Sequence, residues 1–511
     1  MQKSRCLIFV VAYHAEATIE DVIERIPVAL SEEYDVDILI IDDSSADRTF
    51  EKSRDMARRS RLPFRFHVLR NPISQGYGGS QKLGYQFAIR EGYEVVALLH
   101  GDGQHGPECL PELLKPVVDG RAAAAFGSRM LRSSAQADHN GALRGGTPRY
   151  KYVGNKVVTW LQNRILGSHL SEFHSGFRVY SVRALEAIPF ECNSNDFHFD
   201  TEIIIQLRIA QLPIIELPIP THYGGDISRV NALSYGFNVL RTTIQARLQE
   251  LSLFYDRKYD CAPAPLSQYK PKFGFTSPHS FALNAVRSNS NVLDLGCGTG
   301  YVGSAIQKKK GCRVAGVDAS PLPARNLNDF YLRDLNDGLT GIPIEEHDCV
   351  LLLDVIEHLA SPEKFLDELR RRLSLNPKAE LIISTGNVAF FVTRVMLLLG
   401  KFNYGKRGIL DLTHTRLFTF SSMLRTLNEA GFVVLETAAI PAPFPLALGD
   451  NAVSRFLLAC NSFLMRLSRG LFAYQMVMRV KARPTLEALL KAAEEESRTR
   501  SAVLSAASAA Q

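Results

Sequence analysis

The stretch Leu98–Pro107, with the sequence LLHGDGQHGP, joins an apolar run to a loop of small and polar residues. The run Val95–Leu99 is wholly apolar, which predicts a buried strand. The loop after it carries Asp102 and, two residues later, Gln104. Ligands of open α/β sheets gather at such strand ends, and these two side chains supply oxygens for a hard cation that can hold a diphosphate. A tight turn that uses Gly and Asp for backbone reasons is the alternative.

Strand-like runs and helical patterns alternate ahead of this stretch. Thr18, with acids two and three residues later, has the pattern of a helix N-cap. A glycine-rich loop is expected over Asn71–Lys82, with a helix over Ser80–Glu91. This alternation predicts an α/β fold, with a mostly parallel sheet covered by helices on both faces. The strands expected in it, besides Val95–Leu99, are Leu7–Val11, Val36–Ile41 and Phe64–Leu69.

Acidic side chains follow two of these strands. Asp42 and Asp43 end the second strand, and Asp102 follows the fourth. Parallel strands place these ends at one edge of the sheet. Paired acids there suit a nucleotide, because one set can accept hydrogen bonds from the base or ribose while the other holds the metal that neutralises the diphosphate.

Short motifs recur along residues 5–230, and although each is weak alone, their order and spacing are specific. They are Val11–Tyr13 with Glu16, Ile41–Thr49, Asn71 with Gly76–Ser80, Gly101–Pro107, Phe126–Arg129, Ser175–Arg178, Ile214–Ile219 and Ser228–Arg229. With these motifs, residues 5–230 resemble a family 2 glycosyltransferase of the dolichol/polyprenyl-phosphate sugar transferase type. The resemblance implies a GT-A fold and inversion of configuration at a sugar carbon.

The same resemblance implies a donor site and a metal. A divalent cation, Mg²⁺ or Mn²⁺, is expected on Asp102 and Gln104. The family's metal motif is Asp-x-Asp, and here His100 stands in place of the first acid. His100 is either a ligand that favours Mn²⁺ or a packed strand residue. The residues implied to bind the nucleotide sugar are Ala12, Tyr13, Glu16, Asp42, Asp43 and Asp102.

Two arginines match the family's phosphate-handling positions. Arg129 follows Gly127-Ser128, and Arg178 follows Ser175-Gly176-Phe177. Together with Asp102 they are the expected catalytic residues of this half, with ordinary surface salt bridges as the alternative. An anionic lipid-phosphate acceptor needs such basic groups more than it needs a strong general base. Glu172 stands where the family usually has Asp.

A second nucleotide-type pattern begins at Asn291. The run Asn291–Gly300 ends a strand in a G-x-G-x-G loop, and Asp318 ends the next strand roughly 20 residues later, as expected for an acid that binds a ribose diol. A nicotinamide-binding fold is the alternative, but its third glycine falls one residue later. Asp294, before the loop, repels a diphosphate and suits a cationic ligand.

Residues 275–482 resemble a class I S-adenosylmethionine-dependent methyltransferase, which implies a Rossmann-like fold and S-adenosylmethionine as cofactor. The carriers are Val292–Gly300, Asp318, Asp334–Leu335, Cys349–Leu359, Leu381–Thr385 and His414–Thr419. The resemblance implies that Asp318 binds the ribose, that Asp334 lies near the adenine and that Asp354 lies near the transferring end. His358 and His414 are candidate bases for a hydroxyl acceptor, and His414 is retained as the catalytic candidate. The resemblance also implies that the methionyl part of the cofactor is bound by Asp294, Gly296, Gly298 and Gly300.

Composition limits the classes of protein. A chain of 511 residues needs two or three domains. Its net charge of +6 fits anionic substrates or an anionic membrane surface. Its eight cysteines form no C-x-x-C pair, so neither a zinc nor a redox motif is indicated. We expect a cytoplasmic enzyme with no nucleic-acid partner, with peripheral contact at the inner face of the membrane left open.

The predicted order is a GT-A domain over 1–233, a helical linker over 234–262, a methyltransferase domain over 263–482 and a disordered tail over 483–511. The pattern of Ser234–Tyr255 predicts an amphipathic helix that packs on the first domain, with a position on the bilayer interface as the alternative. Phe390–Leu412 is interpreted as an acceptor lid. The sequence thus indicates a bifunctional enzyme that moves a sugar to polyprenyl phosphate and methylates a sugar oxygen in the same glycan pathway. An inactive nucleotide-sugar-binding module that targets a methyltransferase with an unrelated acceptor is the alternative.

Overall fold

The computed structural model describes residues 3–131, 149–220, 232–250, 255–261, 272–321 and 327–486, with 489–490, 493–494 and 497–498. The chain forms two compact units, Met1–Pro265 and Leu266–Gln511. Each contains its own seven-stranded mixed sheet, so the α/β prediction is confirmed. The predicted motif Ser228–Arg229 and residues 501–511 of the tail lie outside the described residues.

The sheet of the first unit has the order β3-β2-β1-β4-β6-β5-β7. Strands β1 to β4 are parallel to one another, and β6 runs antiparallel to both β4 and β5. The strands are β1 (Arg5–Ala12), β2 (Asp35–Asp42), β3 (Arg65–Arg70), β4 (Val95–His100), β5 (Ala124–Ser128), β6 (Arg178–Ser181) and β7 (Ile214–Pro218). The helices are α1 (Ile19–Glu24), α2 (Leu30–Glu33), α3 (Thr49–Arg59), α4 (Gly76–Arg90), α5 (Leu110–Val118), α6 (Arg149–Leu166), α7 (Val182–Glu186), α8 (Phe199–Ile209) and α9 (Ala232–Glu250).

Continuous apolar runs form the central strands because both faces of this sheet are buried. Leu7, Phe9 and Leu98 belong to the core on one face, while Ile8 and Leu99 belong to the core on the other. This is the pattern expected of parallel strands covered by helices on both sides. The sheet therefore offers its carboxyl edge, and not its faces, to ligands.

Helix α4 begins earlier than the sequence suggested. The glycine-rich loop expected over Asn71–Lys82 ends at Gln75, and the helix starts at Gly76. The carboxylate of Asp43 accepts hydrogen bonds from the backbone N–H groups of Gln75 and Gly76 at 2.7 and 3.0 Å. An acid at a helix N-terminus stabilises it, and the glycines let the first turn approach the backbone of Asn195 closely.

The sheet of the second unit has the order β10-β9-β8-β11-β12-β14-β13, with β14 antiparallel to its two neighbours. Its strands are β8 (Asn291–Leu295), β9 (Arg313–Asp318), β10 (Asp329–Leu332), β11 (Cys349–Leu353), β12 (Glu380–Gly386), β13 (Phe432–Ile440) and β14 (Gln475–Ala482). Its helices are α10 (Pro278–Ala285), α11 (Tyr301–Lys310), α12 (Pro362–Leu373), α13 (Phe391–Leu398), α14 (Phe420–Glu429), α15 (Phe444–Leu448), α16 (Ala452–Leu467) and α17 (Arg469–Phe472).

Within the described part of the chain, no helix combines the length and the apolar character needed to cross a membrane. The predicted amphipathic helix near residue 234 is present as α9, which packs against α6 and α8. The predicted lid contains α13, and its two ends are anchored because Phe390 and Ile409 are buried together with Ala442.

Candidate active sites

The carboxyl ends of β1, β2 and β4 meet at one edge of the first sheet. In the parallel register Ala12 lies opposite Asp42, and Val11 lies opposite His100. The loops that follow these strands therefore bring the predicted donor-binding residues to one place. The sheet topology accounts for this convergence, since parallel neighbours end at the same edge.

Asp42 presents a buried acceptor at this edge. Its Oδ1 atom accepts hydrogen bonds from the backbone N–H and the hydroxyl of Ser45. Its Oδ2 atom is buried and accepts no hydrogen bond from the described residues, although Arg70 Nε lies 3.6 Å away. A buried carboxylate oxygen without a donor is unfavourable. A donor group on a ligand, such as an N–H of a base, would satisfy it.

Asp43, which is predicted to contact the nucleotide, is held by its own loop. Besides the first turn of α4, its carboxylate accepts from Asn71 Nδ2 at 2.7 Å and from the Ser74 hydroxyl at 2.8 Å. Burial raises the pKa of Asp43, but these hydrogen bonds outweigh it and leave the pKa below its ordinary value. The carboxylate is occupied by its own loop, so the structure favours a positioning role.

The loop after β1 is fastened to the loop after β2. Ser45 Oγ accepts from the backbone N–H of His14 at 2.9 Å, and Thr49 Oγ1 accepts from that of Ala15 at 2.9 Å. The Glu16 carboxylate accepts from the backbone N–H of Arg48 at 3.1 Å. Glu16 is therefore engaged in holding the loop, while the ring of Tyr13 is half exposed at the edge.

Asp102 lies at the exposed tip of the loop after β4. Its Oδ1 atom accepts from the backbone N–H of Gln104 at 3.1 Å. Thr18, which provides no side-chain cap to α1, instead donates to the carbonyl of Gly101 at 2.6 Å and fixes this loop. The described residues contain no group of three His, Cys, Asp or Glu side chains able to hold a metal. One carboxylate and one amide still fit a cation that takes most of its oxygens from a substrate diphosphate and water.

His100 packs beside this loop. Its ring lies edge-on to Tyr77 and to His105, with centroids 5.5 and 5.4 Å away. Tyr77 OH lies 3.4 Å from His100 Nε2 and donates to Asp200 Oδ2 at 2.8 Å. Of the two alternatives for His100, this arrangement favours the packed strand residue. Sequence reasoning missed Tyr77 and Asp200, because no motif links them before the fold brings them together.

Arg129 stands at the end of β5 in an ion pair with Glu172. Its backbone N–H donates to Glu172 Oε2 at 2.9 Å, and its Nε donates to Oε1 at 3.0 Å. Asn155 from α6 donates to the same carboxylate at 2.9 Å. Burial raises the pKa of Glu172, but Arg129 outweighs it and the pKa lies below its ordinary value. The guanidinium is partly exposed, so it remains a candidate for contact with a phosphate.

Arg178, which is predicted to handle a phosphate, is enclosed by its own unit. Its side chain is 1% exposed. The guanidinium donates to the carbonyls of Phe173, Ser175 and Asp200 at 2.8 to 3.0 Å and lies 3.5 Å from the Asp200 carboxylate. This geometry favours a positioning role, in which Arg178 holds Asp200 and the chain before β6.

Replacing Arg178 with Met is expected to destabilise the first unit by about 3–5 kcal/mol, because it leaves Asp200 as a buried charge without its partner. Calorimetry of the full chain measures this as a lower midpoint for one transition. Adding S-adenosylmethionine identifies the transition of the other unit. Arg183→Met, an exposed arginine on α7, is the matched control. An unchanged midpoint together with lost sugar transfer would instead show that Arg178 acts on a phosphate.

The second sheet carries a comparable edge at the ends of β8 and β9. Gly296 and Cys297 both donate their backbone N–H groups to the carbonyl of Val317, at 2.8 and 3.0 Å. Gly298 donates its N–H to Asp318 Oδ2 at 2.8 Å. Gly300, at a φ of +73°, then leads into α11. The predicted glycine loop and Asp318 therefore lie together, as the sequence spacing indicated.

Asp294 is a buried acid beneath this loop. Its Oδ2 atom has no hydrogen-bond partner among the described residues. Burial, with a smaller contribution from Asp318, raises the pKa of Asp294 to about 7. An unpartnered buried carboxylate beside a glycine loop fits a cationic group. S-adenosylmethionine carries such a group in its methionyl ammonium, so Asp294 and the three glycines fit the predicted cofactor.

Cofactor affinity is expected to rise by about tenfold as the pH increases from about 5.5 to about 7.5, because a cation binds the ionised form of Asp294. The folded-state pKa lies above the ordinary value of 3.8. Without ligand, the stability contributed by this carboxyl is therefore complete below that value and is lost as the pH rises through about 7. Calorimetric titration with S-adenosylmethionine measures the change in affinity. Asp294→Asn is expected to bind weakly with a flat pH profile, and a retained profile would contradict this assignment.

Asp334 and Asp354 occupy different surroundings on the remaining edge. Asp334 is exposed and accepts from the backbone N–H of Asn336 at 2.9 Å. Asp354 follows β11 with a φ of +56°, and its carboxylate accepts from Ser384 Oγ at 2.6 Å and Gln475 Nε2 at 2.8 Å. An unusual backbone conformation held by two side chains is typical of a functional position. This supports a site role for Asp354 without testing its contact with the cofactor.

Glu357 is a buried acid that sequence reasoning did not select. Its Oε2 atom has no hydrogen-bond partner among the described residues. Burial and the nearby Asp354 raise its pKa above the ordinary value. Its backbone carbonyl accepts from the N–H groups of Thr415 and Arg416. The sequence did contain a signal for this site, because Asp354 and Glu357 lie three residues apart directly after an apolar strand.

His358 and His414 lie against each other, with ring centroids 4.7 Å apart. The Nδ1 atom of His414 lies 2.9 Å from the carbonyl of Ile409, so that nitrogen must carry the hydrogen that it donates. Burial lowers the pKa of His414 below its ordinary value. The neutral ring therefore keeps a lone pair on Nε2, as a general base requires. His358 directs its Nδ1 atom to Thr413 in the same way.

Two parts of the chain match family models. Residues 7–188 match the model of glycosyl transferase family 2, and residues 269–437 match that of a methyltransferase domain. The fusion inferred from the motifs is confirmed, as is the enzymatic character of both halves.

Relatives of the first half differ in the sugar that their names specify. The chain is 27% identical over 216 residues to the polyprenol monophosphomannose synthase of Mycolicibacterium smegmatis, an alignment that covers 42% of this chain and 76% of the relative. It is 22% identical to the UDP-N-acetylglucosamine–dolichyl-phosphate N-acetylglucosaminyltransferase of Methanococcus voltae, over 46% of this chain and 94% of the relative.

A solved S-adenosylmethionine-dependent methyltransferase from Archaeoglobus fulgidus is 21% identical, over 40% of this chain and 90% of that one, with a TM-score of 0.28.

Proposed function

We propose that this chain, which joins a glycosyl transferase family 2 domain to a methyltransferase domain, transfers a sugar from a nucleotide sugar to polyprenyl phosphate with inversion and methylates a sugar oxygen of the same glycan. The sugar-transfer proposal is carried by one observation. The helix that holds the Arg129–Glu172 pair through Asn155 also presents an exposed apolar stripe.

This stripe runs along α6, from Tyr150 through Val153 and Val157 to Trp160, at helical spacing and on the exposed surface. The sequence of α6 contains four basic residues and no acid. Apolar residues with flanking positive charge suit a lipid that bears a phosphate. The stripe supports an acceptor whose hydrocarbon lies along α6 while its phosphate reaches the end of β5.

The chemistry at the edge of the first sheet follows from charge. Departure of a nucleoside diphosphate develops negative charge, and a divalent cation on Asp102 and Gln104 would neutralise it. Asp42 offers its unpartnered oxygen to the nucleotide. The acceptor phosphate is already an anion, so the site needs to hold it, which Arg129 can do from its partly exposed position. No strong general base is required.

Methyl transfer at the second edge needs alignment of donor and acceptor more than acid–base chemistry. Asp294 and Asp318 would hold the methionyl group and the ribose of S-adenosylmethionine. A sugar hydroxyl approaching from the segment 409–414 would meet the Nε2 atom of His414, whose orientation is set by Ile409. His414 would then accept the hydroxyl proton as the methyl group is transferred.

A second candidate is favoured by the packing of His100. The family's first metal-binding acid is absent, and the side chain in its place contacts Tyr77 and His105. The first half would then bind a nucleotide sugar without turnover and would deliver the methyltransferase to its acceptor.

Incubation of the full chain with polyprenyl phosphate and a panel of radiolabelled nucleotide sugars tests the proposal. Label in the lipid extract that depends on a divalent cation is the expected result. Label only in a soluble acceptor would rule out the lipid phosphate. Tight binding of a nucleotide sugar with no transfer to any acceptor would favour the second candidate.

A further inference from the structure

Helix α16 is amphipathic in the reverse of the usual sense. It buries the polar residues Ser454 and Asn461 and exposes Phe456 and Phe463, which are 67% and 61% accessible. The amide of Asn461 accepts from the backbone N–H of Ala442 and donates to the carbonyl of Phe472, both at 2.9 Å. These two bonds fix which side of the helix faces inward. The outward aromatic residues are therefore a stable feature of the surface.

The outward residues form a stripe along α16. Val453, Phe456, Phe463 and Leu467 recur at spacings of three, seven and four residues, and all four are exposed. Four apolar side chains in one line, each more than half exposed, exceed the scattered apolar residues normal for a protein surface. We call these four residues the α16 stripe.

Helix α13 borders the same region and is also apolar outside. The ring of Phe391, at its start, lies 5.9 Å from that of Phe472, which Asn461 holds. Leu398 and Leu399, at its end, are among the most exposed apolar side chains of the described residues. The predicted lid and the α16 stripe therefore lie on either side of Phe472.

Both segments carry net positive charge. Residues 388–410 contain four Lys or Arg and no Asp or Glu. Residues 450–474 contain three Arg and one acid, Asp450, which pairs with Arg455. Apolar residues combined with unbalanced positive charge are complementary to the headgroups and acyl chains of an anionic bilayer. A second copy of this chain would bring the same positive charges against each other, which disfavours self-association through this surface.

We propose that the second unit docks on an anionic lipid surface through the α16 stripe and the neighbouring end of α13. This inference rests on the proposed function, because docking on a lipid surface brings the methyltransferase to its acceptor only if that acceptor is a glycan carried on a lipid. Gln475, the first residue of β14, follows residues 451–474 in the chain and donates a hydrogen bond to Asp354 at the second edge. The docked surface and the candidate methyl-transfer site thus belong to one continuous part of the fold.

Flotation of the full chain with vesicles tests the inference. One vesicle type is phosphatidylcholine alone, and the other is an equal mixture with phosphatidylglycerol. The background variant V157S/W160S removes two of the four apolar residues of the α6 stripe, so that the first unit contributes less to binding. We expect binding to the anionic vesicles, reduced at least about tenfold by F456S/F463S and by K401E/R466E. The matched control L332S/L375S replaces equally exposed apolar residues elsewhere in the second unit and is expected to bind as the background does.

Three results would overturn the proposal. Absence of binding to anionic vesicles, or binding that F456S/F463S leaves unchanged, would show that this surface does not contact lipid. A doubled mass by light scattering without vesicles, abolished by F456S/F463S, would identify a second copy as the occupant. Retained S-adenosylmethionine binding in each variant confirms that the second unit is folded. The vesicles contain no polyprenyl phosphate or nucleotide sugar, so failure here is distinct from failure of either transfer activity.

Discussion

Replacing Asp102 with Ala is expected to reduce sugar transfer by about 100- to 1000-fold, with little change in stability. Asp102 is exposed, and the hydrogen bond it accepts comes from within its own loop. Its removal leaves only Gln104 of the two proposed protein oxygens for a cation. The leaving diphosphate would then develop its charge without that stabilisation, a loss of the size seen when one stabilising group is removed from a transition state. Transfer of radiolabelled sugar at saturating cation measures the effect.

Asp119→Ala is the matched control for this variant. Asp119 is also an exposed acid, but it follows α5 at the opposite edge of the sheet. It is expected to leave the rate unchanged. If Asp102→Ala transferred sugar at the original rate, the cation would have to bind elsewhere. Partial rescue by a higher Mn²⁺ concentration would show that Gln104 and the diphosphate retain a weakened site.

Replacing Asp318 with Ala is expected to weaken S-adenosylmethionine binding by at least about 100-fold. The proposed pair of hydrogen bonds to the ribose hydroxyls involves a charged acceptor, and each such bond contributes about 1.5–3 kcal/mol. The substitution also releases the N–H groups of Gly298 and Ser320, which Asp318 holds at 2.8 and 2.9 Å. The glycine loop would lose part of its orientation as well. Calorimetric titration of the full chain measures the change in Kd.

Asp329→Ala provides the comparison for this second variant. Asp329 begins the adjacent strand, and its carboxylate pairs with Arg313 at the opposite edge. Unchanged affinity is expected there. Equal weakening by the two substitutions would mean that loss of stability, and not loss of a ribose contact, explains the effect at Asp318. Sugar transfer should be retained in both variants, because both residues belong to the second unit.

Much of the fold could be predicted because the apolar runs are continuous. The expected strands Leu7–Val11, Val36–Ile41 and Val95–Leu99 each lie within a strand of the structure. Parallel strands end at the same edge of a sheet, so the sequence could place Asp42 and Asp102 at one edge without the structure. The spacing from the glycine loop to Asp318 was informative for the same reason.

The direction in which each side chain points was less accessible from sequence. Arg178 lies in a motif, but the motif does not show that its guanidinium turns inward to Asp200, which is distant in sequence. Asp43 was expected to face a nucleotide. In the structure its carboxylate accepts hydrogen bonds from the backbone N–H groups of Gln75 and Gly76, at the start of α4. The reversed polarity of α16 was equally hidden, because Asn461 finds its partners only through tertiary packing.

The central claim is that one chain carries both transfer activities and uses them on one glycan. Mass spectrometry of lipid extracts, from reactions of the full chain with polyprenyl phosphate, a nucleotide sugar and S-adenosylmethionine, tests it most directly. The account predicts a glycosylated lipid that also bears a methyl group. Asp102→Ala should yield neither modification, and Asp318→Ala should yield the glycosylated lipid without the methyl group. Absence of sugar from the lipid with every donor, while the methyl group still reaches another acceptor, would contradict the account.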